Sequence, residues 1–331
     1  MANYERDLIG EHASIDALRK LITRVAKSPA RTVLIYGETG TGKGLVARML
    51  HQQSARAAGE FVDINCAAIP SSLLESELFG HERGAFTGAQ VKKAGLVETA
   101  NHGTVFLDEI REMDLVLQAK LLSFLDTQSF RRVGAVTSTS VDVRLVAATN
   151  KILLGEVNSG RFREDLYYRL QVVAINLPAL RERASDVLIL TQHFVDKFNI
   201  QYKRKIRGLG DEAKDILLHY PWPGNVRELE NLIERIFILE DDDVILPRHL
   251  PDRILRTVKA KAKAVVPSAQ GQADAGDLAL GFHGATARYQ KQLIETALAV
   301  NGGNQQRAAS ALKISRHALR HQMIKLGLVS D

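Results

Sequence analysis

The sequence predicts an α/β fold with a parallel sheet, followed by a smaller helical subdomain and a separate basic helix-turn-helix. Three observations carry this. Short β-branched runs bounded by turn residues alternate with helical patterns through the first half. After Leu177-Pro178 the strand signals stop and only helix-period apolar segments follow. Charge is also uneven: residues 285–331 hold seven Lys or Arg against two acids, net +5, while the whole chain is +6. A basic module on a near-neutral body points first to nucleic acid as a partner.

The 331 residues are 45% hydrophobic and 25% charged, which excludes collagen-like, wholly disordered and disulfide-scaffold classes. No apolar run approaches the ~18 residues of a membrane helix. Met1 to Asp7 lacks the basic-then-apolar pattern of a signal peptide, so a cytoplasmic protein without membrane contact is expected. The single cysteine, Cys66, cannot pair within the chain and reads as a small buried residue.

In chain order, strands are expected at Thr32–Tyr36, Phe61–Asn65, 104–107, 143–148 and 172–177. Helices are expected at 186–198, Asp211–His219 and Asn225–Leu239. Between 256 and 284 the sequence thins to Lys-Ala alternation and Ala, Gln and Gly, the composition of a mobile linker. The resulting division is 1–177 (α/β), 178–255 (helical), 256–284 (linker) and 285–331 (helix-turn-helix).

Gly37-Glu38-Thr39-Gly40-Thr41-Gly42-Lys43 lies between the first strand and a helix. Glycines let backbone N–H groups converge on phosphate oxygens, the helix N-terminus adds partial positive charge, and Lys43 reaches the terminal phosphates. That setting favours a phosphate-binding P-loop over a mere Gly-rich turn. Gly44 stands where a P-loop normally carries the Ser/Thr whose hydroxyl ligates Mg²⁺. A substitute acid is available at 104–109, an apolar strand ending in Asp108 and Glu109. There Asp108 can hold Mg²⁺ while Glu109 orients and deprotonates the attacking water.

Between these two sites the string Gly84-Ala85-Phe86-Thr87-Gly88-Ala89 places an aromatic among small residues, a composition suited to an exposed, deformable contact loop. With it the sequence resembles the bacterial enhancer-binding proteins, the AAA+ P-loop ATPases that activate RNA polymerase carrying sigma-54, from about Leu8 to Pro251. The resemblance implies that Phe86 and Thr87 contact sigma-54 in a loop that moves with nucleotide state. It implies ATP and Mg²⁺ as cofactors, and a homo-oligomeric ring, a hexamer when active. By the same match Asn65 is a switch residue that can hold Glu109 away from water, Thr149-Asn150 is sensor I, and Arg163 and Arg169 are arginine fingers for the neighbouring subunit's ATP. Arg227, in Pro221-Trp222-Pro223-Gly224-Asn225-Val226-Arg227, resembles sensor II under a helical lid. The family more often has Glu than Ser/Thr after the P-loop lysine, so Gly44 departs from both patterns.

The last segment reads as helix, tight turn, helix, with Ala308, Ala309 and Leu312 facing Leu319, Met323 and Leu326. Ser315 is the expected N-cap, leaving Arg316, His317, Arg320 and His321 near the start of the second helix, where major-groove readers lie. The unit resembles the Fis-type helix-turn-helix found at this end of the family. The expected function is therefore ATP-driven remodelling of the sigma-54 RNA polymerase holoenzyme from the closed to the open complex by an activator on double-stranded enhancer DNA. Two other readings stay open: an AAA+ ATPase that remodels a different target, and a DNA-binding scaffold that holds ATP without turnover. The ATPase pattern starts almost at Met1, leaving no room for the N-terminal regulatory domain many relatives carry. Either a separate protein regulates the chain in trans, as in phage-shock-type relatives, or the sequence is a shortened one.

Overall fold

The computed structural model describes residues 7–150, 152–183, 185–265, 281–302, 304–312, 314–326 and 328. The chain divides into two compact units, residues 1–260 and 261–331.

The first unit is built on five strands: β1 (Thr32–Tyr36), β2 (Phe61–Asn65), β5 (Thr104–Asp108), β8 (Arg144–Thr149) and β9 (Ala174–Asn176). All pair in parallel, in the order β2-β5-β8-β1-β9. Side chains alternate across the sheet with period two. Val33 and Ile35 of β1 therefore face α1 (Ala13–Ala26) and α2 (Lys43–Gln52), in a core shared with Phe106, Val146 and Ile175. Leu34 points to the opposite side, where Val105, Leu107, Leu145 and Ala147 meet α3 (Ser71–Phe79), α5 (Leu115–Thr127) and α7 (Glu164–Leu170). With both faces covered the strands read as continuous apolar runs, as parallel sheets do. Register pairs Tyr36 with Thr149 and Asn65 with Asp108, so the carboxyl ends of four strands come to one edge. Ligand crevices form at such an edge.

Two short hairpins were not expected from the sequence: β3 (Gly80–His81) with β4 (Lys93–Ala94), and β6 (Ser129–Phe130) with β7 (Thr139–Ser140). Each strand has two residues, too few to show any alternation.

The helical part of this unit contains α8 (Asp186–Tyr202), α9 (Asp211–His219) and α10 (Asn225–Leu239), packed around Trp222, which is fully buried. Its indole N–H donates to the Leu217 carbonyl at 2.8 Å, so the buried ring leaves no unpaired donor. The expected linker start at 256 is corrected here. The helix α11 (Asp252–Val265) runs on because Ile254 is buried and Leu255 and Val258 pack on the same core, while Ala and Lys are strong helix formers. Residues 266–280 of that linker lie outside the described residues, and the next helix begins at Gly281, ahead of the expected boundary at 285.

The second unit has helices α12 (Gly281–Val300), α13 (Gln305–Ala311) and α14 (Arg316–Lys325). Ile294, Ala308, Ala309, Leu319 and Met323 form its core. The Asn304 side chain accepts from the Gln306 and Arg307 amides, which starts α13. Cys66, in the first unit, is buried as expected, and burial pushes its thiol up to about 12, where it stays protonated.

Candidate functional site

Gly37 to Gly42 join β1 to α2, with Gly42 as the N-cap and Gly44 in the first helical turn. Gly40 and Gly42 have φ of +80° and +102°, a region glycine enters without strain. Gly40 also lies against the lid, where a Cβ would meet the Gly224 carbonyl at 2.2 Å. Lys43 is 7% exposed, and its ammonium donates to the carbonyls of Gly37 at 3.0 Å and Glu38 at 3.4 Å. The Thr41 hydroxyl donates to the Glu38 carbonyl at 2.8 Å, which tightens the loop. At Gly44 a Cβ would sit 3.8 Å from Phe106, an ordinary contact, so the packing does not require this glycine.

Beside the loop, β5 ends in Asp108, whose carboxylate accepts from the Glu109 amide at 3.0 Å. Glu109 has φ +50° and ψ +51°, a left-handed turn that swings its side chain towards Lys43. One carboxylate oxygen is 3.8 Å from Lys43 Nζ and the other 3.8 Å from Arg111 Nε. The carboxylate thus lies between two cations at the same closest distance. The Asn150 amide donates to the second oxygen at 3.4 Å, and the Asn150 side chain donates to Thr39 Oγ1 at 3.2 Å. Thr149 is fully buried at the end of β8, and its carbonyl accepts from the Gly37 amide.

The Asn65 side chain is not hydrogen-bonded to Glu109 here. It is exposed at the end of β2, and its side-chain oxygen accepts from the Ala67 amide at 2.9 Å, a local Asx turn that engages the oxygen within its own loop. A second cation beside Glu109 is Arg111, which no sequence motif singled out; its position two residues after the acid was the only available signal.

The lid meets the P-loop through residues that were also missed. Asn225, fully buried with φ +52°, accepts from the Leu180 amide at 2.8 Å and donates to Glu38 at 3.2 Å and the Thr39 carbonyl at 3.0 Å. Arg181 forks onto Glu38 at 2.6 and 2.8 Å. These hydrogen bonds from Arg181, aided by Asn225, bring the Glu38 carboxyl down to about 2. The amides of Val226 and Arg227, at the start of α10, both donate to the Gly40 carbonyl. Arg227 lines a cleft with Thr39, Gly224 and Arg235.

Arg163 and Arg169 are not bonded to this chain's own P-loop. Arg163 pairs with Asp165 at 2.7 Å and Arg169 with Asp126 at 3.0 Å, and both are over 40% exposed. The Arg163 backbone is fixed by buried Gln118, whose side-chain oxygen accepts its amide at 2.8 Å. Phe86 and Thr87 lie at the tip of a loop closed by a 2.8 Å bond from the Gly84 amide to the Ala89 carbonyl. Thr87 is exposed, and Phe86, 39% exposed, sets its ring edge-on to His81 at 5.0 Å.

In the second unit the Ser315 hydroxyl accepts from the Ala318 amide at 3.1 Å as the N-cap of α14. Arg316, Arg320 and His321 are exposed, while Leu319 and Met323 are buried on the opposite face. The His317 side chain lies outside the described residues.

Fold and site together define a P-loop ATPase domain of the AAA+ class carrying a helical lid, joined to a helix-turn-helix. The chain belongs to the sigma-54 activator family: residues 8–176 match the Sigma-54 interaction domain. Residues 181–266 match the AAA+ ATPase lid domain, and 287–326 match the bacterial regulatory proteins of the Fis family. Regulatory protein AtoC of Escherichia coli is 45% identical over 92% of this chain and 64% of its own length. Transcriptional regulatory protein ZraR of the same species is 45% identical over 94% of this chain and 67% of its own. Among solved structures, NtrX from Brucella abortus in complex with ADP is similar, at 36% identity and a TM-score of 0.71, covering 98% of this chain and 70% of that one. The chain thus spans about two thirds of the length of these relatives.

Proposed function

We propose that the protein hydrolyses ATP in a ring of its own copies to drive sigma-54 RNA polymerase from the closed to the open complex, while its helix-turn-helix holds enhancer DNA. The observation that carries this is the closed loop presenting Phe86 and Thr87 in a chain that matches the Sigma-54 interaction domain around the P-loop of Lys43.

The residues present fit ATP with Mg²⁺. Asp108 and Glu109 offer the carboxylate oxygens a hard cation takes, the space around Gly42 is open, and Asn150 Oδ1 is a buried acceptor with no partner. When bound, the metal neutralises developing phosphate charge. In this reading Lys43 and the amides of 37–44 hold the phosphates, Asp108 holds Mg²⁺, and Glu109 orients water and takes its proton. Thr149 and Asn150 sense the γ-phosphate, and Arg227 reads it from the lid. Arg163 and Arg169 leave their own acids to reach a neighbour's ATP, a task for an always-charged, forked donor. Six copies make the ring. The exposed Arg316, Arg320 and His321, together with His317 and capped by Ser315, face the DNA major groove. ATP and chromosomal DNA place the work in the cytoplasm; among the described residues no helix is long and apolar enough to cross a membrane.

Transcription from a sigma-54 promoter tests this reading. Thr87→Ala is expected to keep most of the hydrolysis and lose activated transcription. Full activation by Thr87→Ala would show the partner surface to be wrong.

A further inference from the structure

We propose that Arg111 is a positioning residue that holds the Glu109 carboxylate back from Lys43 and so keeps the lysine open to phosphate. The proposal rests on the ATP-binding reading above and extends it to a residue outside the P-loop.

Glu109 stands between two cations at equal distance, 3.8 Å from Lys43 Nζ and 3.8 Å from Arg111 Nε, and is hydrogen-bonded to neither. Arg111 Nε is buried and has no acceptor, so the Glu109 carboxylate is the acidic group it faces. Arg111 has little freedom to leave. It sits in the 3-10 turn Ile110–Glu112 directly after Glu109, it is 24% exposed, and its far nitrogen is tied to Glu112 at 2.6 Å. A guanidinium fixed at one end presents Nε in a set direction, which a flexible ammonium does less well. The other partners of Lys43 are two neutral carbonyls, so among the described residues Glu109 is the one carboxylate within ion-pair range of it.

Without the guanidinium only the long 3.4 Å bond from the Asn150 amide holds the carboxylate back from Lys43. The carboxylate closes on Lys43, and entering phosphate has to displace it. The fraction of molecules with an open lysine then falls, and apparent affinity falls by that fraction.

Equilibrium binding of a fluorescent methylanthraniloyl ATP with Mg²⁺ to the full chain tests this. Arg111→Gln is expected to raise Kd roughly three- to tenfold, the change produced when the open state drops to about a third to a tenth. Arg111→Lys, which restores the charge without the fixed direction, should recover only part of the loss, and in a Glu109→Gln background Arg111→Gln should change nothing. An unchanged Kd for Arg111→Gln overturns the proposal, and so does an equal loss in both backgrounds, which would make Arg111 a direct ligand or a folding residue. If thermal melting shows Arg111→Gln unfolded, Arg111→Met, with a similar stem and no charge, carries the same expectation. Lys43→Ala separates the two levels. Full binding by Lys43→Ala removes the nucleotide site itself, whereas loss there with no change in Arg111→Gln removes only the role of Arg111.

Discussion

Asn225→Ala probes the joint between lid and P-loop. The side chain is fully buried and accepts the Leu180 amide at 2.8 Å; with the amide group gone, that buried N–H is left unpaired. Such a group costs about 1–3 kcal/mol. The bonds to Glu38 and to the Thr39 carbonyl end on partly exposed residues that water reaches, so losing them adds about 0.5 kcal/mol each. Alanine at φ +52° adds about 1 kcal/mol that asparagine largely escapes. The total is about 3–5 kcal/mol, or a fall in Tm of about 6–20 °C for a unit of this size. Asn225→Gly divides the sum, because glycine accepts the backbone angle and still loses every hydrogen bond. It should recover about 1 kcal/mol of the loss. Calorimetry or urea melts of the three proteins measure both numbers. A loss below about 1 kcal/mol for Asn225→Ala, or no difference between Ala and Gly, would refute the assignment of this residue as the hydrogen-bonded joint.

Two further outcomes follow from the geometry. The folded state depresses the Glu38 carboxyl to about 2 from 4.5, so its stabilisation is full above about pH 4.5 and is lost as pH falls towards 2. Because Glu38 and Arg181 are each 42% exposed, screening limits the effect to about 1 kcal/mol; the stability gap between wild type and Glu38→Gln should shrink across that window, and a constant gap would count against it. In the second unit, Arg320→Ala should cost about 1–3 kcal/mol on the cognate DNA site and less on scrambled duplex, measured at several salt concentrations. Equal losses on both duplexes would make Arg320 a phosphate contact.

Much of this was legible because its causes are local. The core strands show as β-branched runs, the P-loop as glycines needing positive φ before a helix, and α14 as Ser315 ahead of a helical face containing Leu319 and Met323. Each depends on neighbours a few residues apart, where periodicity and capping act. By itself, then, the sequence determined the sheet, the phosphate loop, the order of the family motifs and the helix-turn-helix. Only the tertiary structure decided which groups meet. Asn225 reaches Glu38 across 187 residues because the lid docks on the loop. That Arg111 stands beside Glu109 turned on one left-handed backbone angle. The extension of α11 to Val265 turned on a buried Ile254. Such contacts follow from sheet register and the docking of distant elements, and no short-range pattern encodes those.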